Sequence, residues 1–83
     1  MSLYRLDYLD DSGNTAGAVP DHLFGGDWIA YRLDRARSHA LNVAACMPAD
    51  RGGQRPVLVT KISGAGSLTP LIVAHPSGVV TRV

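Results

Sequence analysis

The stretch from Asp27 to Met47 limits the fold of this chain more than any other segment. Ile29, Leu33, Ala36, Ala40, Val43, Ala44 and Met47 fall on one face at steps of three and four. An apolar stripe of that period predicts one long helix lying across a core. Gly25-Gly26 forms a hinge ahead of it, and Asp27 is suited to accept the free amides of its first turn. Pro48 sets the far end, because the residue before a proline is pushed out of helical geometry.

A second row runs a quarter-turn away along the same helix: Trp28, Arg32, Arg35, His39, Asn42 and Cys46. Arg grips carboxylate or phosphate in a two-pronged fashion, and Trp either anchors an interface or stacks on a base. The competing reading is a solvated flank whose Trp ring tucks against neighbouring structure.

The rest of the chain reads as strands. Leu3 to Leu9 alternates Tyr4, Leu6 and Tyr8 with a mostly polar set, as a half-buried strand does. Asp10 to Asn14 is turn chemistry. Thr15 to Gly26 reads as an irregular connection with a helical turn near Pro20 to Phe24. Three further strands follow the helix: Pro56–Ser63, Leu68–His75 and Val79–Val83. Turns at Gly64-Ala65-Gly66 and Pro76-Ser77-Gly78 join them. The expected fold is therefore α+β: a two-layer sandwich with one long helix on a mostly antiparallel four-stranded sheet, in the order β-α-β-β-β. A chain of 83 residues supports one small domain, here residues 1–83.

Several function classes fall away on composition and spacing. No apolar run is long enough to span a bilayer, so no membrane partner is expected. Asp7, Asp10 and Asp11 occupy the place where a leader would carry its apolar segment. With a single cysteine, Cys46, there is no internal disulfide, and the expected location is cytoplasmic. His22, His39, His75 and Cys46 match no closed metal pattern, so neither a metal nor another cofactor is expected. Ser63-Gly64-Ala65-Gly66-Ser67 joins two strands and reads as a hairpin turn, whereas a phosphate loop leads from a strand into a helix. No nucleophile has a base at a spacing that brings the two together, and the chain is not expected to be an enzyme.

Charge is uneven along the chain. Residues 1–31 hold five Asp against Arg5, and residues 32–83 hold seven bases against Asp34 and Asp50. The isoelectric point near 8.0 is below the range usual for nucleic-acid-binding domains. Nucleic-acid binding through the Arg-bearing flank is accordingly the alternative reading. The leading one is a non-catalytic module that binds a protein partner. It would serve as an accessory, adaptor or inhibitor subunit, a role that phage- and mobile-element-encoded proteins of this size can fill.

All five aromatics lie within the first 31 residues, and aromatics and Arg dominate interface energetics. The expected partner-binding residues are Trp28, Tyr31, Arg32, Arg35 and His39, with Asp10 and Asp11 as a second contact. The last three strands are apolar on both faces in places, and one helix covers only one face of a sheet. A homodimer through the uncovered face or an edge strand is therefore expected as well.

Overall fold

A computed structural model describes residues 2–46 and 53–83. Six strands and one helix follow in the order β1 (Leu3–Leu9), β2 (Thr15–Ala18), β3 (Ile29–Ala30), α1 (Leu33–Cys46), β4 (Val57–Ile62), β5 (Leu68–Ala74) and β6 (Val80–Arg82). The α+β expectation holds, with one helix against an antiparallel sheet. The sheet has six strands among the described residues, where four were expected. Met47, Pro48 and the start of the following loop lie outside the described residues.

β1 organises the sheet. β4 pairs with it from Leu3↔Ile62 to Tyr8↔Val57 and occupies one edge. The two additional strands share the other edge in tandem. β2 pairs through Asp7↔Ala18 and Leu9↔Thr15, and β3 through Tyr4↔Ala30 and Arg5↔Ile29. Between them the Val19 N–H donates to the Leu6 carbonyl at 2.9 Å. β5 and β6 then extend the sheet beyond β4. A bulge between Val59 and Thr60 skips Leu71, and Pro70 falls just beyond the part of β5 that β6 pairs with. Pro70 thus has a paired strand only on its β4 side, next to the bulge, and edges and bulges are where sheets tolerate proline.

The added edge strands explain where the helix starts. Ile29 and Ala30 are used by pairing with β1, so α1 begins at Leu33 rather than Asp27. The first helical bond runs from the Ala36 N–H to the Arg32 carbonyl at 3.1 Å. Asp27 does not cap the helix; it forms an isolated antiparallel bridge with Pro20. Asp34 is the acid in the first turn, where the helix dipole favours it. At the other end the Gln54 Nε2 donates to the Ala45 carbonyl at 2.6 Å, meeting one of the last turn's open acceptors.

The core lies between α1 and the sheet. Ala36, Ala40 and Ala44, at i, i+4 and i+8, are fully buried against Leu6, Val57 and Val59. Small side chains on that stripe let the helix backbone sit close to the strands. The larger apolar positions pack round the rim, with Tyr4, Tyr8, Leu41, Val43 and Ile72 partly buried. Leu33, expected in the buried stripe, is 40% exposed because it lies at the helix start, beyond the sheet's covered centre. On the opposite sheet face Asp7 is buried beside Arg5, whose Nε donates to its Oδ2 at 3.2 Å.

Candidate functional site

The connection read as irregular has a defined form. After β2 the chain leaves the sheet at Pro20 and returns at Asp27, and the Trp28 N–H donates to the Val19 carbonyl at 2.9 Å. Asp21 closes the loop in between. Its N–H donates to the Gly26 carbonyl at 2.8 Å and its carbonyl accepts from the Gly25 N–H at 2.9 Å. Its Oδ1 accepts from the Leu23 and Phe24 amides at 2.9 and 3.1 Å. Gly25 and Gly26 have φ of 80° and 69°, a left-handed pair that side-chain-bearing residues adopt only at a cost. The expected helical turn is present as a single turn, closed by the Gly25 N–H to Asp21 carbonyl bond and capped by the Asp21 side chain, and it holds Leu23 and Phe24 almost wholly exposed.

This loop lies against the first half of α1. The Trp28 and His39 rings stack with centroids 4.1 Å apart and planes 18° from parallel. Trp28 therefore joins the flank predicted from sequence, although it lies ahead of β3 and not on the helix. Around the stack, Arg35, Ser38 and Asn42 line a shallow depression. On the loop side, a cleft of about 600 Å³ is bounded by Phe24, Trp28, Tyr31, Arg32 and Arg35, with Asp21 at its edge. Arg35 borders both hollows and makes no ion pair among the described residues. Arg32, by contrast, is bound to Asp34 through Nε at 3.1 Å and Nη2 at 2.8 Å. That pair is exposed, so it orients Arg32 more than it stabilises the fold.

His39 is half-buried, and its pKa lies below the usual 6.5. Burial is the main cause, and the Arg35 guanidinium adds to it. Asp21 across the cleft pulls the other way. The imidazole is therefore neutral at pH 7 and presents a stacked, uncharged ring beside the Arg35 guanidinium.

Neither a protein-family model nor a curated protein nor a solved structure matches this chain.

The structure thus gathers Trp28, Tyr31, Arg32, Arg35 and His39 round one surface. Asp10 and Asp11 stand apart from it, at the β1–β2 turn. They are about 16 Å along β1 from Arg5, the residue that faces Ile29. Asp10 serves that turn, its Oδ1 accepting from the Ser12 and Asn14 amides at 2.9 Å each. Cys46 is exposed at the end of α1. The His75 Nε2 lies 2.9 Å from the Thr81 Oγ1 across the β5–β6 turn. Ser63–Ser67 forms the expected hairpin turn, with the Ser67 N–H donating to the Ser63 Oγ at 3.1 Å. Among the described residues no three His, Cys, Asp or Glu side chains cluster, and no helix is long and apolar enough to cross a membrane.

Leu23 and Phe24 are the residues that sequence reasoning missed. A Leu-Phe pair is expected to be buried, and only the Asp21 bonds and the two glycines reveal a loop built to expose it. The signal available in sequence was Asp21 with Gly25-Gly26, a turn signature round an apolar pair.

Proposed function

We propose that this protein is a non-catalytic interaction module, an accessory, adaptor or inhibitor subunit that binds a protein partner through the surface round Arg35. The observation that carries this reading is the convergence of Phe24, Trp28 and Tyr31 at one cleft with the Arg35 guanidinium, which has no ion-pair partner among the described residues. Exposed aromatics beside Arg are the residue types that carry most binding energy at protein interfaces. The exposed Leu23 and Phe24 support it further, since a soluble domain gains nothing in stability from holding two large apolar side chains in water. Self-association belongs to the same reading.

The test is affinity capture with the wild-type chain and with a Trp28→Ala, Arg35→Ala double variant, followed by mass spectrometry. A partner held by the first and lost by the second is the expected result. Equal capture by both overturns the assignment of this surface. Titration with DNA and RNA at two salt concentrations separates the alternative. Steeply salt-dependent binding would move the surface to nucleic acid, whereas no binding at low salt leaves the protein-partner reading standing.

A further inference from the structure

The Leu23–Phe24 tip has a counterpart elsewhere on the same molecule. Leu33, Pro70, Leu71, Ile72 and Val83 line an apolar groove, and Arg82 stands at it. Leu33 and Val83 are 40% and 69% exposed, so apolar side chains of the groove face solvent. Arg82 makes no ion pair among the described residues. The loop has the complementary chemistry: Asp21 and Asp27 flank its apolar pair, and it carries neither Arg nor Lys. Loop and groove lie on two sides of the start of α1, since the cleft beside the loop includes Tyr31 and Arg32 and the groove begins at Leu33.

We propose that two copies of this chain associate about a twofold axis, each placing its Leu23–Phe24 tip in the Leu33–Val83 groove of the other. This specifies the self-association put forward above and leaves Arg35, Ser38 and Asn42 free for a different partner. Area decides that the contact is reciprocal. The two tip side chains together offer about 300 Å² for burial, and a groove that receives them loses a similar area. One such contact removes about 600 Å², short of the ~1,000 Å² that a specific interface needs, whereas two meet it. A twofold axis near the start of α1 brings each tip towards the other copy's groove in a single docking, as a self-complementary interface requires. The apolar pair supplies affinity, and Asp21 and Asp27 against Arg82 supply orientation.

Sedimentation equilibrium tests this first. The wild-type chain is expected at twice its 8.8 kDa mass at tens of micromolar. Phe24→Ser, a change at a 90% exposed position, is expected to give a monomer with unchanged circular dichroism. Arg82→Asp is expected to weaken the dimer severalfold, less so at high salt. A wild-type monomer, or a dimer that survives Phe24→Ser, overturns the proposal; the second result would move the contact to the sheet's outer face.

Cross-linking tests the pairing itself. In a Cys46→Ser background, His22→Cys with Leu33→Cys keeps both tip side chains and is expected to oxidise to a closed covalent dimer. A ladder of higher oligomers would exclude the twofold arrangement, and a monomer would exclude the contact. Phe24 borders the partner cleft as well as forming the tip. The two readings are therefore separated at other residues: Arg82→Asp acts on the dimer alone, and Trp28→Ala with Arg35→Ala on the partner surface alone.

Discussion

Trp28 and His39 stack at a centroid distance of 4.1 Å although they lie eleven positions apart in sequence. In an unbroken helix they would lie about 16 Å apart along the axis. Contact requires the chain to run out through β3 and fold back as α1. The chain has a single tryptophan, so its fluorescence reports this pair alone. An imidazolium quenches a stacked indole more strongly than a neutral imidazole does. Emission is therefore expected to fall as the solution is acidified, with a midpoint below 6.5, because burial and then Arg35 hold His39 below that value. Arg35→Ala should raise the midpoint. A midpoint above 6.5, or no transition in His39-containing protein, would contradict the stacked and partly buried geometry.

The same shift predicts how stability depends on pH. The folded-state pKa of His39 is lowered, so as pH falls the unfolded chain takes up this proton first. The stability contributed by the neutral ring is complete above about 6.5. It is lost as pH falls from there through the lower folded value, and levels off beyond it. Urea midpoints measured between pH 7.5 and pH 4.5 are expected to decline less in His39→Gln than in the wild type, since the variant has no proton to take up there. Parallel curves for the two proteins would assign the acid dependence to other groups.

The alanine stripe of α1 allows little added volume. Ala40 is fully buried and stands between Ala36 and Ala44 on the face against β1 and β4. Ala40→Leu adds three carbons where the helix backbone lies close to the sheet, and overpacking of that kind costs about 1–3 kcal/mol. Leu6→Ala acts from the sheet side by opening a void, at a cost of about 2–5 kcal/mol. Chemical denaturation of both variants checks the pair. An Ala40→Leu protein as stable as the wild type would mean that the helix stands further from the strands than these contacts imply.

What the sequence revealed follows from how strongly each residue's environment is set locally. β1 was legible at Leu3 and Leu9 because Tyr4, Leu6 and Tyr8 alternate cleanly and a dense turn follows. β2 was not, because Thr-Ala-Gly-Ala has no apolar alternation and lies mostly exposed at an edge. The helix start was misplaced for a different reason. Trp28, Ile29 and Arg32 fit helical spacing, Asp27 looks like a cap, and only a long-range pairing of Ile29 and Ala30 with β1 removes them. Tertiary pairing overrode the local signal. The flank itself was legible at Arg35 and His39, which lie on the helix, and at Arg32 just ahead of it. Trp28 reached it by stacking from a loop, and Leu23 and Phe24 escaped notice because solvent exposure of apolar residues leaves no mark in periodicity.

Asp21 should decide whether the exposed loop keeps its shape. Its Oδ1 accepts from two amides, those of Leu23 and Phe24, the same residues a chymotrypsin-like protease would recognise. Asp21→Ala removes the acceptor of both bonds and leaves the core untouched, since the residues involved are exposed or only partly buried. If the loop opens by about 1 kcal/mol more readily, the population accessible to the protease rises about fivefold. Asp21→Asn keeps the Oδ1 acceptor and is expected to be cut at close to the wild-type rate. Limited proteolysis of the three proteins, with the cut site read by mass spectrometry, makes the comparison. Cleavage at Leu23 or Phe24 that is equally fast in all three would show that the loop is held by its backbone bonds and glycines without help from the Asp21 side chain.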